Sequence, residues 1–261
     1  VSRAALSVLG VALGVALVVA LAIAADVRAE PGATPAQPAA VPMQPAAPAS
    51  APVADTMAQR MQACVVCHGP EGRATNTGYF PRIAGKPAGY LYEQLQNFRN
   101  GRRRNAAMAH LLQHLSDDYL REIARHFATL DLPYPPARPH GLTPEQQALA
   151  ETLVRQGAPE RGIPACTACH GSRMAGRLPA MPGLLTLPAD YLLGQLGAWR
   201  NGVRRAAEPD CMAHVARALT PEEVAAVSRW LSAQTLPGGT APDPAGATGE
   251  PLPMACGSGL R

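Results

Sequence analysis

Residues 63–69 read ACVVCHG and residues 165–171 read ACTACHG. Two cysteines, two spacers and a histidine recur in one order, about a hundred residues apart. The likeness extends well past these heptads. FPRIAGKPAGYLYEQLQNFRNG (80–101) aligns with MPGLLTLPADYLLGQLGAWRNG (181–202). Pro81 falls on Pro182, Tyr90 on Tyr191, Gln94 on Gln195 and Phe98 on Trp199. MAHLLQHLSDDYLREIARHF (108–127) then aligns with MAHVARALTPEEVAAVSRWL (212–231). The chain therefore holds two copies of one unit, each opening with Cys-x-x-Cys-His. The proline-rich stretch LPYPPARPHG (132–141) joins them and should not be helical.

Each copy reads as helical. Thr143-Pro144-Glu145-Gln146 and Thr220-Pro221-Glu222-Glu223 are capping boxes with proline at the first helical position. Ser116 takes the corresponding place in the first copy. Leu91, Leu95 and Phe98 fall on one helical stripe, as do Leu192, Leu196 and Trp199, with Gly101 and Gly202 as helix stops. No stretch alternates with period two, so the fold class is all-α.

The 261 residues are 16% charged and 4% aromatic, and rich in alanine, glycine and proline. Two domains of roughly 80–90 residues built from small side chains have thin cores, and another body should supply apolar mass. The formal charge of +4 gives no argument for nucleic acid, and only Lys86 among the 23 basic residues is a lysine.

Cys-x-x-Cys-His is the attachment signature of c-type haem, with thioether bonds from both cysteines and the histidine on the iron. Cys64, Cys67 and His68 would hold one haem, and Cys166, Cys169 and His170 a second. Zinc ribbons space their cysteine pairs about 15–20 residues apart, and a thioredoxin-like pair needs a βαβ setting. Neither matches this chain. Two porphyrins also answer the thin-core problem, and their four propionates bring the net charge close to zero.

The sixth iron ligand decides function, because a methionine-closed haem is an electron carrier with a raised potential. Met108 stands eight residues before Ser116 and Met212 eight before Thr220. Repeat symmetry selects these two from eight methionines. His110 and His214 are matched as well and are the rival ligands, while His114, His126 and His140 have no repeat partner.

Residues 4–25 carry no charge and are long enough to span a bilayer, so residues 1–29 are a membrane anchor or a signal peptide. Either sends the remainder across the membrane. Residues 30–54 are a Pro/Ala-rich linker, semi-extended rather than packed. Residues 55–134 and 141–236 are the two haem domains, and 237–261 a flexible tail.

With these motifs, RGIPACTACHG and YLYEQLQNFRNG followed by methionine and a capped helix, residues 55–235 resemble the dihaem class I cytochromes c of the c-four type. The resemblance implies two haem c groups, each with iron, in tandem cytochrome c domains. It implies a periplasmic carrier of single electrons rather than an enzyme. Its partners would be a quinol–cytochrome c reductase and a terminal oxidase or dehydrogenase. Met108 and Met212 match the family's distal ligands, and Pro81 and Pro182 match a proline whose carbonyl accepts the ligating histidine's ring N–H. Alternatives are a cytochrome subunit of a dehydrogenase or oxidase complex, and a dihaem peroxidase. The anchor and the longer loop RRAAEPDCM (204–212) depart from the family pattern. Cys211 there can pair with Cys256, stay a free thiol or ligate iron as thiolate. Arg102-Arg103-Arg104 and Arg204-Arg205 are a docking patch, propionate contacts or cations following a helix end.

Overall fold

The computed structural model describes residues 54–258 apart from 76–77, 138, 140, 237 and 247–250. The expected anchor or signal at 1–29 and nearly all of the 30–54 linker lie outside the described residues, as does His140. Among the described residues no helix is long and apolar enough to cross a membrane.

Ten α-helices are described, five in each copy. The first copy contributes α1 (Met57–Arg60), α2 (Gln62–His68), α3 (Ala88–Arg99), α4 (Ala106–Leu112) and α5 (Asp117–Ala128). The second contributes α6 (Pro144–Arg155), α7 (Cys166–His170), α8 (Ala189–Arg200), α9 (Cys211–Ala218) and α10 (Pro221–Ala233). One two-stranded antiparallel hairpin, Gly176–Arg177 with Met181–Pro182, and two 3-10 turns, Pro70–Gly72 and Pro159–Arg161, complete the regular structure among the described residues.

Local chemistry sets the helix ends. Both predicted capping boxes form: Thr143 with Gln146 opens α6, and Thr220 with Glu223 opens α10. Ser116 accepts from the Tyr119 amide at the start of α5. Gly101 and Gly202 follow α3 and α8 with φ of +71° and +69°, the left-handed turn that ends a helix.

Each copy has its own apolar cluster. In the first, Leu91, Leu112, Leu120, Ile123 and Phe127 pack α3, α4 and α5 together, with Cys64 and Met108 against them. In the second, Leu153, Leu192, Leu219, Val227 and Leu231 bring α6, α8 and α10 together, with Cys166 against them.

The connector is non-helical where described, yet it is held. The buried Arg82 donates to the Leu132 and Pro133 carbonyls at 2.6 and 3.1 Å and lies 4.1 Å over the Tyr134 ring. The C-terminal segment, read from composition as a flexible tail, is also tied down. Arg173 donates to Asp243 at 2.6 Å and to the Gly239 and Ala241 carbonyls, and Asp243 bridges to Arg177. Cys256 is disulfide-bonded to Cys211. Composition suggests coil here, and these long-range partners override it.

Candidate functional site: two histidine–cysteine centres

The short helix α2 carries Cys64, Cys67 and His68, and α7 carries Cys166, Cys169 and His170. All four cysteines are half-buried and free of disulfides. Each histidine is buried and is followed by a glycine that must leave the helix with positive φ: Gly69 at +75° and Gly171 at +85°. A Cβ at Gly69 would lie 2.2 Å from the Ala74 oxygen, and one at Gly171 would lie 2.6 Å from Asp243 Oδ2. The glycine closing each heptad is thus demanded by the backbone.

His68 Nδ1–H donates to the Pro81 carbonyl at 2.9 Å, and His170 Nδ1–H to the Pro182 carbonyl at 2.7 Å. The bond fixes the tautomer and leaves Nε2 as the free, basic nitrogen. Burial lowers the pKa of both rings despite the carbonyl contact, keeping the neutral imidazole a metal needs. Burial also pushes the Cys166 thiol up to about 11 and raises Cys64 and Cys169.

The methionines sit on short helices of their own. Met108 is half-buried on α4, behind an Asn105 cap that accepts from the Met108 amide at 3.0 Å. Met212 is half-buried on α9, behind an Asp210 cap. In the second copy Cys166, Cys169, His170, Pro182 and Met212 line one cleft enclosing about 1440 Å³ including its mouth. In the first copy Cys64 and Met108 pack against a common apolar cluster. The rival histidines point elsewhere. His110 is exposed and near Gln113, and His214 is exposed with Nε2 3.3 Å from the Gly162 oxygen. His114 is exposed and His126 lies edge-on to Phe127.

The arginine runs divide. Arg104 and Arg205 are exposed, but Arg103 and Arg204 are buried at the junction of the copies, which removes both from any docking patch. Arg103 donates to Gln94, Gln195 and the Tyr191 hydroxyl, and Arg204 to Gln195 and Gln94. These glutamine and tyrosine partners are neutral, and burial with the neighbouring Arg103 lowers the Arg204 pKa. The pair therefore calls for an anion nearby.

Three further roles come from residues outside the cysteine, histidine and methionine set. Arg99 donates to the Leu115 carbonyl in the turn after α4, and Arg200 to those of Ala216 in α9 and Leu219 just past it, so each holds the chain where it leaves a methionine helix. Lys86 crosses to the second copy and donates to the Gly183 carbonyl at 2.7 Å. Burial, with Arg82 adding to it, pulls Lys86 down to about 7. Its only sequence signal was being the sole lysine. Trp199, on the cleft wall, buries an Nε1–H that has no partner within the protein.

These features fit haem c. Each copy offers two cysteines and an imidazole on one helix and a thioether on another; in the second copy they line one apolar cleft, and in the first Cys64 and Met108 share an apolar cluster. The unpartnered donors at Trp199 Nε1 and Arg102 Nε, and the arginine pair, suit carboxylates such as propionates. Together they define a helical cytochrome with two haem sites.

Residues 55–151 match the cytochrome c family. A thiosulfate dehydrogenase electron acceptor from Stutzerimonas stutzeri is 39% identical over 65% of this chain and 78% of that protein. Cytochrome c4 from Thiocapsa roseopersicina is 36% identical over 69% of this chain and 92% of that protein. Reduced cytochrome c4 from Pseudomonas stutzeri matches in structure with a TM-score of 0.59 at 29% identity, covering 68% of this chain and 96% of that one. Thiosulfate dehydrogenase from Marichromatium purpuratum matches with a TM-score of 0.60 at 29% identity, covering 66% of this chain but 36% of that one. The chain belongs to the cytochrome c4 family of dihaem electron-transfer cytochromes, with two haem c groups as its cofactors.

Proposed function

We propose that this chain is a periplasmic carrier of single electrons between respiratory redox proteins, with both irons closed by histidine and methionine. Residues 55–134 and 141–236 would each fold around one haem. Cys64 and Cys67 would hold the first by thioether bonds, and Cys166 and Cys169 the second. His68 and Met108 would ligate the first iron, and His170 and Met212 the second. The observation that carries this reading is the matched pair of buried histidines, each with Nδ1–H committed to a proline carbonyl.

Bound haem c supplies a one-electron ferrous–ferric couple. The chain's own residues do the rest. Pro81 and Pro182 orient the imidazoles and strengthen their donation. Arg99 and Arg200 hold the methionine helices, and the apolar clusters exclude water. Tyr90 and Gln94 of the first copy line the second copy's cleft, so the two sites share one protein boundary. Residues 4–25 would tether the protein to the cytoplasmic membrane if they are retained.

Likeness to a thiosulfate dehydrogenase electron acceptor favours a second reading. The chain would then take electrons from a dehydrogenase that oxidises a reduced sulfur compound, as its partner or subunit.

A redox titration of the purified holoprotein followed in the visible spectrum tests both. Two one-electron transitions, a far-red methionine-to-iron band and no peroxide turnover are expected. Peroxidase activity, or carbon monoxide uptake at either reduced haem without mutation, would overturn the carrier reading. Rapid reduction by a thiosulfate-oxidising dehydrogenase would select the second reading, and intact mass reports the fate of residues 1–29.

A further inference from the structure

The second copy carries a structure with no counterpart in the first. Its loop before the methionine helix is longer and sets Cys211 immediately before Met212. Cys211 is disulfide-bonded to Cys256, 45 residues on, and Cys256 is buried. The returning chain lies in backbone contact with the loop. The Gly257 amide donates to the Pro209 carbonyl at 2.9 Å, and a Cβ at Gly257 would lie 2.3 Å from the Glu208 oxygen. Met254, Cys256 and Ser258 line the same cleft as Cys166, His170 and Met212.

The tail is held on the histidine side as well. Asp243 accepts from Arg173 at 2.6 Å, its amide donates to the Gly176 carbonyl, and its carbonyl accepts from the Leu178 amide. One segment is thus fastened both to the loop that follows His170 and to the loop that precedes Met212.

From this we infer that residues 251–258 are a strap that closes the methionine side of the second site and positions Met212. The inference rests on reading Met212 as an axial ligand. An eight-residue helix has little stability of its own. Its first turn stays put because Asp210 caps it and a covalent link holds Cys211. Exposure of the iron's sixth position requires local opening of this turn, and a cross-link beside the ligand removes the openings in which the loop swings outward. Among the described residues, the first copy's methionine helix has the Asn105 cap, its apolar packing and the Arg99 contact at Leu115, with no disulfide beside Met108. The second site is therefore the more tightly closed of the two.

The test uses the full-length holoprotein and its C211S/C256S variant, with and without M108A. Because a paired cysteine substitution can impair maturation, wild type treated with a phosphine reductant after folding gives the same comparison. Imidazole uptake by the ferric protein and the far-red methionine band are read together. Opening the strap should speed uptake about tenfold or more at one haem, with partial loss of the band. In the M108A background the same change should bring uptake to the second haem as well. Unchanged uptake and band in both the variant and the reduced wild type would overturn the strap alone. Wild type that takes imidazole at the second haem as fast as the opened variant, with no far-red band from that haem, would overturn the Met212 reading and the strap together.

Discussion

Arg103 and Arg204 face each other in an antiparallel backbone bridge, and each guanidinium reaches the same two glutamines. Arg103 meets Gln94 at 3.0 Å and Gln195 at 2.6 Å, and Arg204 meets Gln195 at 2.9 Å and Gln94 at 2.8 Å. Each also stacks on its own copy's aromatic ring, Phe98 at 4.4 Å and Trp199 at 3.7 Å. Arg204→Met should cost roughly 2–3 kcal/mol, because hydrogen bonds from a charged donor are lost in a buried setting. A lower urea midpoint reports the cost. Faster hydrogen exchange at the Arg104 and Arg205 amides, which bond across the junction, places it. Unchanged exchange there would show that the arginine does not hold the copies together.

Met108→Ala and Met212→Ala should each remove part of the far-red band, open one reduced haem to carbon monoxide and lower one of the two potentials, since thioether ligation raises it. A variant that keeps the full band has lost no ligand.

Trp199→Phe converts the second copy to the residue of the first. The buried indole N–H has no protein partner, so the apoprotein should lose little stability. If that N–H donates to a propionate, its removal leaves more negative charge beside the iron and favours the ferric form. The second potential should fall on the order of tens of millivolts, since a hydrogen bond to a charged group is worth about 1.5–3 kcal/mol and only part of it differs between oxidation states. An unmoved potential would leave the indole with a packing role only.

Gly171→Ala should cost about 1–3 kcal/mol from backbone strain, with further loss from the clash at Asp243. Thermal unfolding measures it, and Ser172→Ala next door, on an exposed position, serves as the control.

Glu223 caps α10 and accepts from Arg161 at 2.7 and 3.1 Å. The Arg161 hydrogen bond is the main cause that holds its carboxyl below the ordinary 4.5. A lowered carboxylate stabilises the fold above its unfolded value, and that stability is lost as pH falls through the lower folded value. Glu223→Gln should therefore lower stability at neutral pH and flatten its dependence on pH below about 4.5. Denaturant midpoints between pH 3 and pH 7 check this, and parallel curves for both proteins would refute it.

Much of this architecture is local and could be read directly. The caps at Ser116, Thr143 and Thr220 need only neighbours three residues away, and Gly101 and Gly202 need only the end of a helix. The haem-binding signature is likewise short. What could not be read depends on distant partners. The helices bearing Met108 and Met212 span 7 and 8 residues, too short for periodicity to declare, and they are held by Arg99 and Arg200 from elsewhere. Arginines that follow a helix are usually solvated, so nothing nearby foretold the burial of Arg103 and Arg204. Six cysteines less four left Cys211 and Cys256 available to each other. Only the folded chain brings them together, through a tail whose composition resembles coil.

Arg103 meets Gln195 as Arg204 meets Gln94, so the same patch is used by both copies and is complementary to itself. That is the logic of an isologous contact with a two-fold axis. A one-haem ancestor carrying this arginine and glutamine would have been able to pair with itself as a homodimer. Within one chain the two halves need not stay alike: Trp199 where the other half has Phe98, a longer loop and a cystine-fastened terminus all belong to one half alone.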